Sequence, residues 1–248
     1  MRLWPALAVA VAVAGCGGAS GKSKSEELRV SAASSLKTAF LHYHSHERYS
    51  FAGSDVLAAQ IKAGARPDVY AAANTKLPHQ LYAAGLLDKP LVFAGNRLVL
   101  AVPASASKVK SVADLAKPGV TIAVGAPAVP VGSYTRQVIG RLPRGEAKKI
   151  LANVRSSEPD VAGVVGKLTQ GAVDAGFVYV TDVQAAGGKI KAIQLPASVQ
   201  PGVAYAAAVV KGTKLHHKAS GFVKGLLTGR GAAALRGAGF EPPPRSSP

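Results

Sequence analysis

Leu28-Arg29-Val30-Ser31-Ala32-Ala33-Ser34-Ser35-Leu36 and Arg48-Tyr49-Ser50-Phe51-Ala52-Gly53-Ser54-Asp55 share one grammar. Each is a short strand-like run, then a serine turn, then an apolar stretch that reads as helix. One serine at such a turn is an ordinary N-cap. Two of them on successive strands of one sheet set free backbone N–H groups and two helix-dipole ends side by side, an arrangement that suits an anion.

Outward from these turns the same alternation continues. Strands are expected at Leu28–Ala32, Arg48–Ala52, Asp68–Ala72, Arg97–Val102, Thr121–Val124, Gly176–Tyr179, Ile190–Leu195 and Tyr205–Val210. Helices are expected at Leu57–Ala63, Lys76–Ala84, Tyr134–Arg141, Glu146–Ala152, Ala162–Gln170 and His217–Leu227. This β/α alternation argues for an α/β protein with parallel or mixed sheets flanked by helices. Two segments read as crossings between lobes: the long run Arg97–Pro103, and Val203–Val210 after the Pro201-Gly202 turn. They divide the chain into lobe 1 (28–102 plus 204–240) and lobe 2 (103–203), joined by a two-strand hinge with a cleft between them, a natural ligand position.

The first residues read as a leader. Met1-Arg2 is followed by an apolar run, Leu3 to Ala14, too short to span a bilayer, and by Val13-Ala14-Gly15-Cys16. That is the pattern of a bacterial lipoprotein signal (1–16), with Cys16, the single cysteine, as the lipidated residue. Residues 17–27 read as a flexible tether, and 241–248, rich in proline, as a disordered tail.

The chain has 248 residues, 48% hydrophobic and 17% charged, with a formal charge of +17. That is a globular composition with a strongly basic surface. Such a charge fits an anionic membrane surface or an anionic ligand. Nucleic acid is not expected as a partner, because the basic residues are scattered, the one Trp lies in the leader and no nucleic-acid motif occurs. Enzymatic chemistry is not expected either: there is no Cys/His pair and no Gly-x-Ser-x-Gly elbow.

Seven segments in order carry a family resemblance: SAASSLKTAF (31–40), SFAGSDVLAAQIKAGARPDVYAAA (50–73), GNRLVLAVP (95–103), VGAPAVPVGSY (124–134), DVAGVVGKL (160–168), GFVYVTD (176–182) and RGAGF (236–240). Together they resemble the periplasmic molybdate-binding proteins of ABC importers, the ModA family. The resemblance implies a two-lobed type II periplasmic-binding-protein fold that captures molybdate, and tungstate with it, and delivers it to a membrane-embedded permease. It also implies a monomer without a cofactor. Carried over residue by residue, it places Ser35 and Ser54 (side chain and N–H) on one lobe. On the other it places the backbone N–H groups of Val131 and Val161 and the hydroxyl of Tyr179. Several charge-assisted hydrogen bonds hold a tetrahedral dianion without any cation. A binding protein for another oxyanion, such as sulfate or phosphate, is the alternative.

The chain departs from that family in two places. The interval between Phe40 and Phe51 is short and holds His42, His44 and His46, read here as a polar loop with a chance metal site as the other reading. Asp55 follows Ser54 where many relatives carry a small hydroxyl residue. Pointing outward, it stabilises a helix N-terminus; pointing inward, it would accept a proton from hydrogen phosphate.

Overall fold

The computed structural model describes residues 26–105 and 107–244. The leader, Cys16 and most of the tether lie outside the described residues. Strands β1 (Arg29–Ala33), β2 (Arg48–Ala52), β3 (Val69–Ala72), β4 (Leu91–Asn96) and β10 (Val203–Val209) form one sheet in the order β2-β1-β3-β10-β4. Strands β5 (Leu98–Pro103), β6 (Ile122–Gly125), β7 (Val154–Glu158), β8 (Ala175–Tyr179) and β9 (Ile190–Gln194) form the second, in the order β7-β6-β8-β5-β9. This is a two-lobed α/β fold.

The two sheets are built alike. In each, a central strand pairs in parallel with both neighbours, β1 with β2 and β3, and β6 with β7 and β8. In each, an antiparallel strand contributed from across the molecule then joins, β10 beside β3 and β5 beside β8. Parallel strands need helical crossovers, and these supply α1 (Lys37–Tyr43), α2 (Ser54–Lys62) and α3 (Lys76–Ala83) around the first sheet. Around the second lie α4 (Pro130–Gly140), α5 (Arg144–Ala152), α6 (Val161–Thr169) and α7 (Val180–Ala185); α8 (His216–Gly225) and α9 (Gly229–Gly237) return to the first. Helices cover the inner strands on both faces, so β3 and β6 are buried at every residue and read as unbroken apolar runs.

The strand Arg97–Val102 does not belong where the sequence suggested. Observed as β5, it lies wholly in the second sheet, paired with β8 and β9. The chain changes sheets at Arg97, between β4 and β5, so the first lobe ends there rather than at 102. Periodicity misses the break because Leu91–Asn96 and Leu98–Pro103 are both apolar runs, and only Gly95-Asn96-Arg97 interrupts them. The return crossing runs through 195–202 into β10, and Arg141 Nη1 anchors it by donating to the carbonyls of Val199 (3.2 Å) and Gln200 (2.9 Å).

Two edge strands, β4 and β7, are also absent from the sequence reading. β7 reads Val-Arg-Ser-Ser-Glu and is only half buried, so its alternation carries little apolar signal. Short α7 and glycine-rich α9 were missed for want of helical apolar period. At the ends of the chain, the expected tail is partly tied down. Glu241 exchanges both backbone hydrogen bonds with Gly95 (2.9 and 3.0 Å), and its carboxylate meets Arg97 at 2.9 Å. The last tether residues are likewise engaged: Glu27 pairs with Arg48 at 2.8 Å, and the carbonyl of Glu26 accepts from Lys218 Nζ.

Candidate functional site

In each sheet the three parallel strands end at the same edge, and the helices that follow begin there. The two edges face each other. In the first sheet, a 3-10 turn at Ser34–Leu36 follows β1, and Gly53 and Ser54 open α2 directly after β2. In the second, β6 leads through 126–129 to Pro130, which takes the first helical position of α4, where its missing N–H costs nothing. After β7, Asp160 caps α6, its Oδ1 accepting from Gly163 N–H at 2.9 Å. After β8, Tyr179 leads straight into α7.

Between the facing edges lies a cavity with room of only about 10 Å³. That is close to a single water-sized space and far below the roughly 300–1,000 Å³ of a site for an organic ligand. Ser35, Ser54, Val131, Val161 and Tyr179 all line it. No lysine or arginine does, and its one charged neighbour is the capping Asp160. A larger hollow, about 610 Å³, opens at the opposite end of the first sheet among Arg29, Arg48 and Arg66, but these cations are already engaged by Asp68, Glu27 and backbone carbonyls.

Apart from the Asp160 carboxylate, the polar side chains that line the small cavity are hydroxyls, each with a hydrogen to donate. Ser54 is 1% exposed, and its Oγ accepts from Ala73 N–H at 3.1 Å, which leaves the hydroxyl hydrogen for the cavity. Ser35 Oγ lies 2.9 Å from Tyr205 Oη. The hydroxyl of Tyr179 is buried and has no hydrogen-bond partner among the described residues. Burial, reinforced by neighbouring Tyr205, Tyr134 and Asp182, pushes its pKa well above 10, so it stays protonated. Val131 and Val161 sit in the first turns of α4 and α6, where N–H groups have no carbonyl within their own helix.

Asp55 is not among the lining residues. It sits in the first turn of α2, with Oδ1 2.9 Å from where a Cβ on Gly53 would stand. His42, His44 and His46 are exposed, and among the described residues no group of three or more His, Cys, Asp or Glu is placed to hold a metal.

Close contacts hold the facing edges together. A Cβ on Gly53 would stand well inside contact distance of the Pro159 carbonyl oxygen of the other lobe, so glycine is required there by approach rather than by backbone angle. Asn96 Nδ2 donates to Thr181 Oγ1 at 3.0 Å, and Gln184 Nε2 to the Gly237 carbonyl at 2.7 Å. Asp182 is buried behind Tyr179 and accepts its N–H at 2.8 Å. Burial pushes the Asp182 pKa up to about 7 against that hydrogen bond, with Asp160 adding to the rise. Sequence reasoning missed Tyr205, Asn96, Thr181 and Asp182. Asn96, Thr181 and Asp182 lie within quoted motifs and Tyr205 opens an expected strand, but only contacts across the molecule mark them out.

The chain matches the model of the bacterial extracellular solute-binding protein family over residues 30–241. It is 35% identical over 225 residues to the molybdate-binding protein ModA of Mycobacterium tuberculosis (strain H37Rv), covering 86% of this chain and 84% of that one. To ModA of Haemophilus influenzae it is 32% identical, covering 78% of each. Its structure superposes on the periplasmic molybdate-binding protein of Azotobacter vinelandii with a TM-score of 0.77 at 25% identity, covering 88% of this chain and all of that one. The chain therefore belongs to the bacterial extracellular solute-binding protein family and, within it, to the ModA group.

Proposed function

We propose that the small cavity takes a fully ionised tetrahedral oxyanion, molybdate first and tungstate alongside it, and that the protein delivers it to a membrane-embedded ABC permease. The observation that carries this reading is the buried Tyr179 hydroxyl, a donor without a partner, at a cavity that Ser35 and Ser54 also line and whose one carboxylate, Asp160, is engaged in capping α6. Ser35 and Ser54 contribute hydroxyls and N–H groups from one lobe, and Val131 and Val161 contribute N–H groups from helix starts on the other. Such dipoles stabilise an anion without a cation that would accept any anion indiscriminately. The size of the cavity favours an inorganic ion over an organic phosphate. Closure of the lobes over the ion is the state offered to the permease. The role is one of capture and transport, without catalysis.

The protein acts outside the cytoplasm, as its family does, and Cys16 is the residue through which we propose it is lipid-anchored, as a monomer. Thermal unfolding in the presence of molybdate, tungstate, sulfate and phosphate in turn tests the ligand, since a ligand of the folded form raises the midpoint by mass action. Molybdate and tungstate are expected to raise it most. A rise with sulfate or phosphate and none with molybdate overturns the assignment. Cys16→Ala is expected to release the protein from membranes; unchanged membrane association rejects the anchor.

A further inference from the structure

Asp55 is the charged residue of the second serine turn, and the oxyanion site does not use it. Its place in the first turn of α2 suits a carboxylate, because a helix start is electropositive. Beyond that the side chain is poorly served. Its Oδ1 is buried and has no hydrogen-bond partner among the described residues. No lysine or arginine among them makes an ion pair with it. The nearby Tyr70 hydroxyl gives its hydrogen to the Ser54 carbonyl at 2.7 Å instead. Burial, and after it the Asp55 charge, pushes that phenol well above its ordinary range, so the charge is felt inside the molecule.

What Oδ1 does meet lies on the other lobe. A Cβ on Gly53 would stand against two oxygens at once, the Pro159 carbonyl of the second lobe and, at 2.9 Å, Asp55 Oδ1 of the first. Both are acceptors, and neither brings a hydrogen. The residues flanking Pro159, Glu158 and Asp160, carry the same charge as Asp55. With the lobes apart, water reaches Oδ1. Closing them removes that water and sets a carbonyl in its place, which is unfavourable for an ionised oxygen.

We propose that Asp55 is a release element: its carboxylate, set against the Pro159 carbonyl of the facing lobe, opposes closure and so speeds the return of the anion. The anion's own hydrogen bonds overcome this opposition while it is held. The helix start supports the carboxylate equally in both states, so the effect falls on closure and not on the fold. The inference rests on the oxyanion reading above and adds to it the residue that limits how firmly the ion is kept.

Asp55→Asn keeps the size of the side chain, removes the charge and supplies an N–H. At neutral pH, molybdate affinity is expected to rise by about five- to tenfold, the order of one buried group left unsatisfied. The gain should appear as slower dissociation, with association little changed. Tungstate should gain by the same factor, because Asp55 does not touch the ion. Asp55→Ala, which removes the charge without adding a donor, should also bind more tightly, though by less. Stopped-flow and titration calorimetry read these changes. Unchanged or weaker binding in both variants means that the carboxylate does not oppose closure and overturns the inference, as does a gain confined to association.

A second measurement needs no ligand. Spin labels on exposed Lys62→Cys of the first lobe and Lys148→Cys of the second report the distance between the lobes. Asp55→Asn should enlarge the closed fraction of the ligand-free protein by the same factor as the affinity gain, since only the closed form holds the ion. No enlargement overturns the inference. If the unsubstituted protein binds none of molybdate, tungstate, sulfate and phosphate, the functional reading fails, and the lobe distances still decide whether Asp55 opposes closure.

Discussion

The two facing edges of the molecule share one topology and solve one problem in different ways. On the first, the turns after β1 and β2 present serine side chains; on the second, the turns after β6 and β7 present backbone N–H groups at valines, and only the turn after β8 adds a side chain, Tyr179. Side-chain donors have a rotor to be set: Ser54 Oγ accepts from Ala73 N–H, and Ser35 Oγ lies in hydrogen-bond contact with Tyr205 Oη. Backbone donors need no such support, because the helix holds them. The first edge therefore carries the tunable half of the site and the second the rigid half.

The strongest way to break this comparison is to stop the edges meeting. Gly53→Ala adds a methyl group against the Pro159 carbonyl of the other lobe, while its backbone angles (φ −58°, ψ 135°) suit alanine. Molybdate affinity should fall by about a hundredfold, the upper end of an overpacking cost of about 1–3 kcal/mol, with the ligand-free melting temperature little changed. Isothermal titration and a melting curve check both.

Next in size is Tyr179→Phe, which takes a charge-assisted bond from the rigid edge. A loss of about ten- to a hundredfold in affinity is expected, corresponding to about 1.5–3 kcal/mol, with stability unchanged or improved because the hydroxyl has no partner to lose. Ser54→Ala should behave differently. Its N–H remains, so affinity falls by about tenfold, but Ala73 N–H loses its acceptor and stability drops by about 1–3 kcal/mol. Denaturant unfolding of the two variants tests whether only the serine edge couples binding to stability.

Asp182 adds a pH effect. A buried carboxyl raised to about 7 stabilises the fold in its neutral form. Its contribution is fully present below the ordinary carboxylate range near 4 and is lost as pH rises through about 7. The charged form also opposes an anion beside Tyr179. Stability and molybdate affinity should both decline as pH rises toward and through 7, and Asp182→Asn should flatten both profiles in melting curves and titrations. The smallest effect is expected from salt. The chain carries +17, but no lysine or arginine lines the cavity, so molybdate affinity should change by less than about twofold between low and moderate ionic strength.

The serine turns were legible because strand, serine and helix follow one another within a few residues. Val131 and Val161 were not legible from chemistry at all, since valine contributes nothing but its N–H, and they were found only through resemblance to a family. The crossing at Arg97 was misplaced by five residues, because two apolar strands abut there and local period does not say which sheet a strand will join. β7 escaped notice as a polar edge strand.

What the sequence determined by itself is local: an α/β alternation, a lipoprotein-like start, and two serines at the ends of successive strands. What only the tertiary structure decided is relational. Strand order brings Tyr205 within 2.9 Å of Ser35 across 170 residues, and lobe closure sets Pro159 against Gly53. It also leaves the Tyr179 hydroxyl buried without a partner. The reason is physical: helical and strand periods encode which face of a segment is buried. The direction of a hydroxyl hydrogen and the room for a Cβ depend on atoms that distant segments bring to the same place.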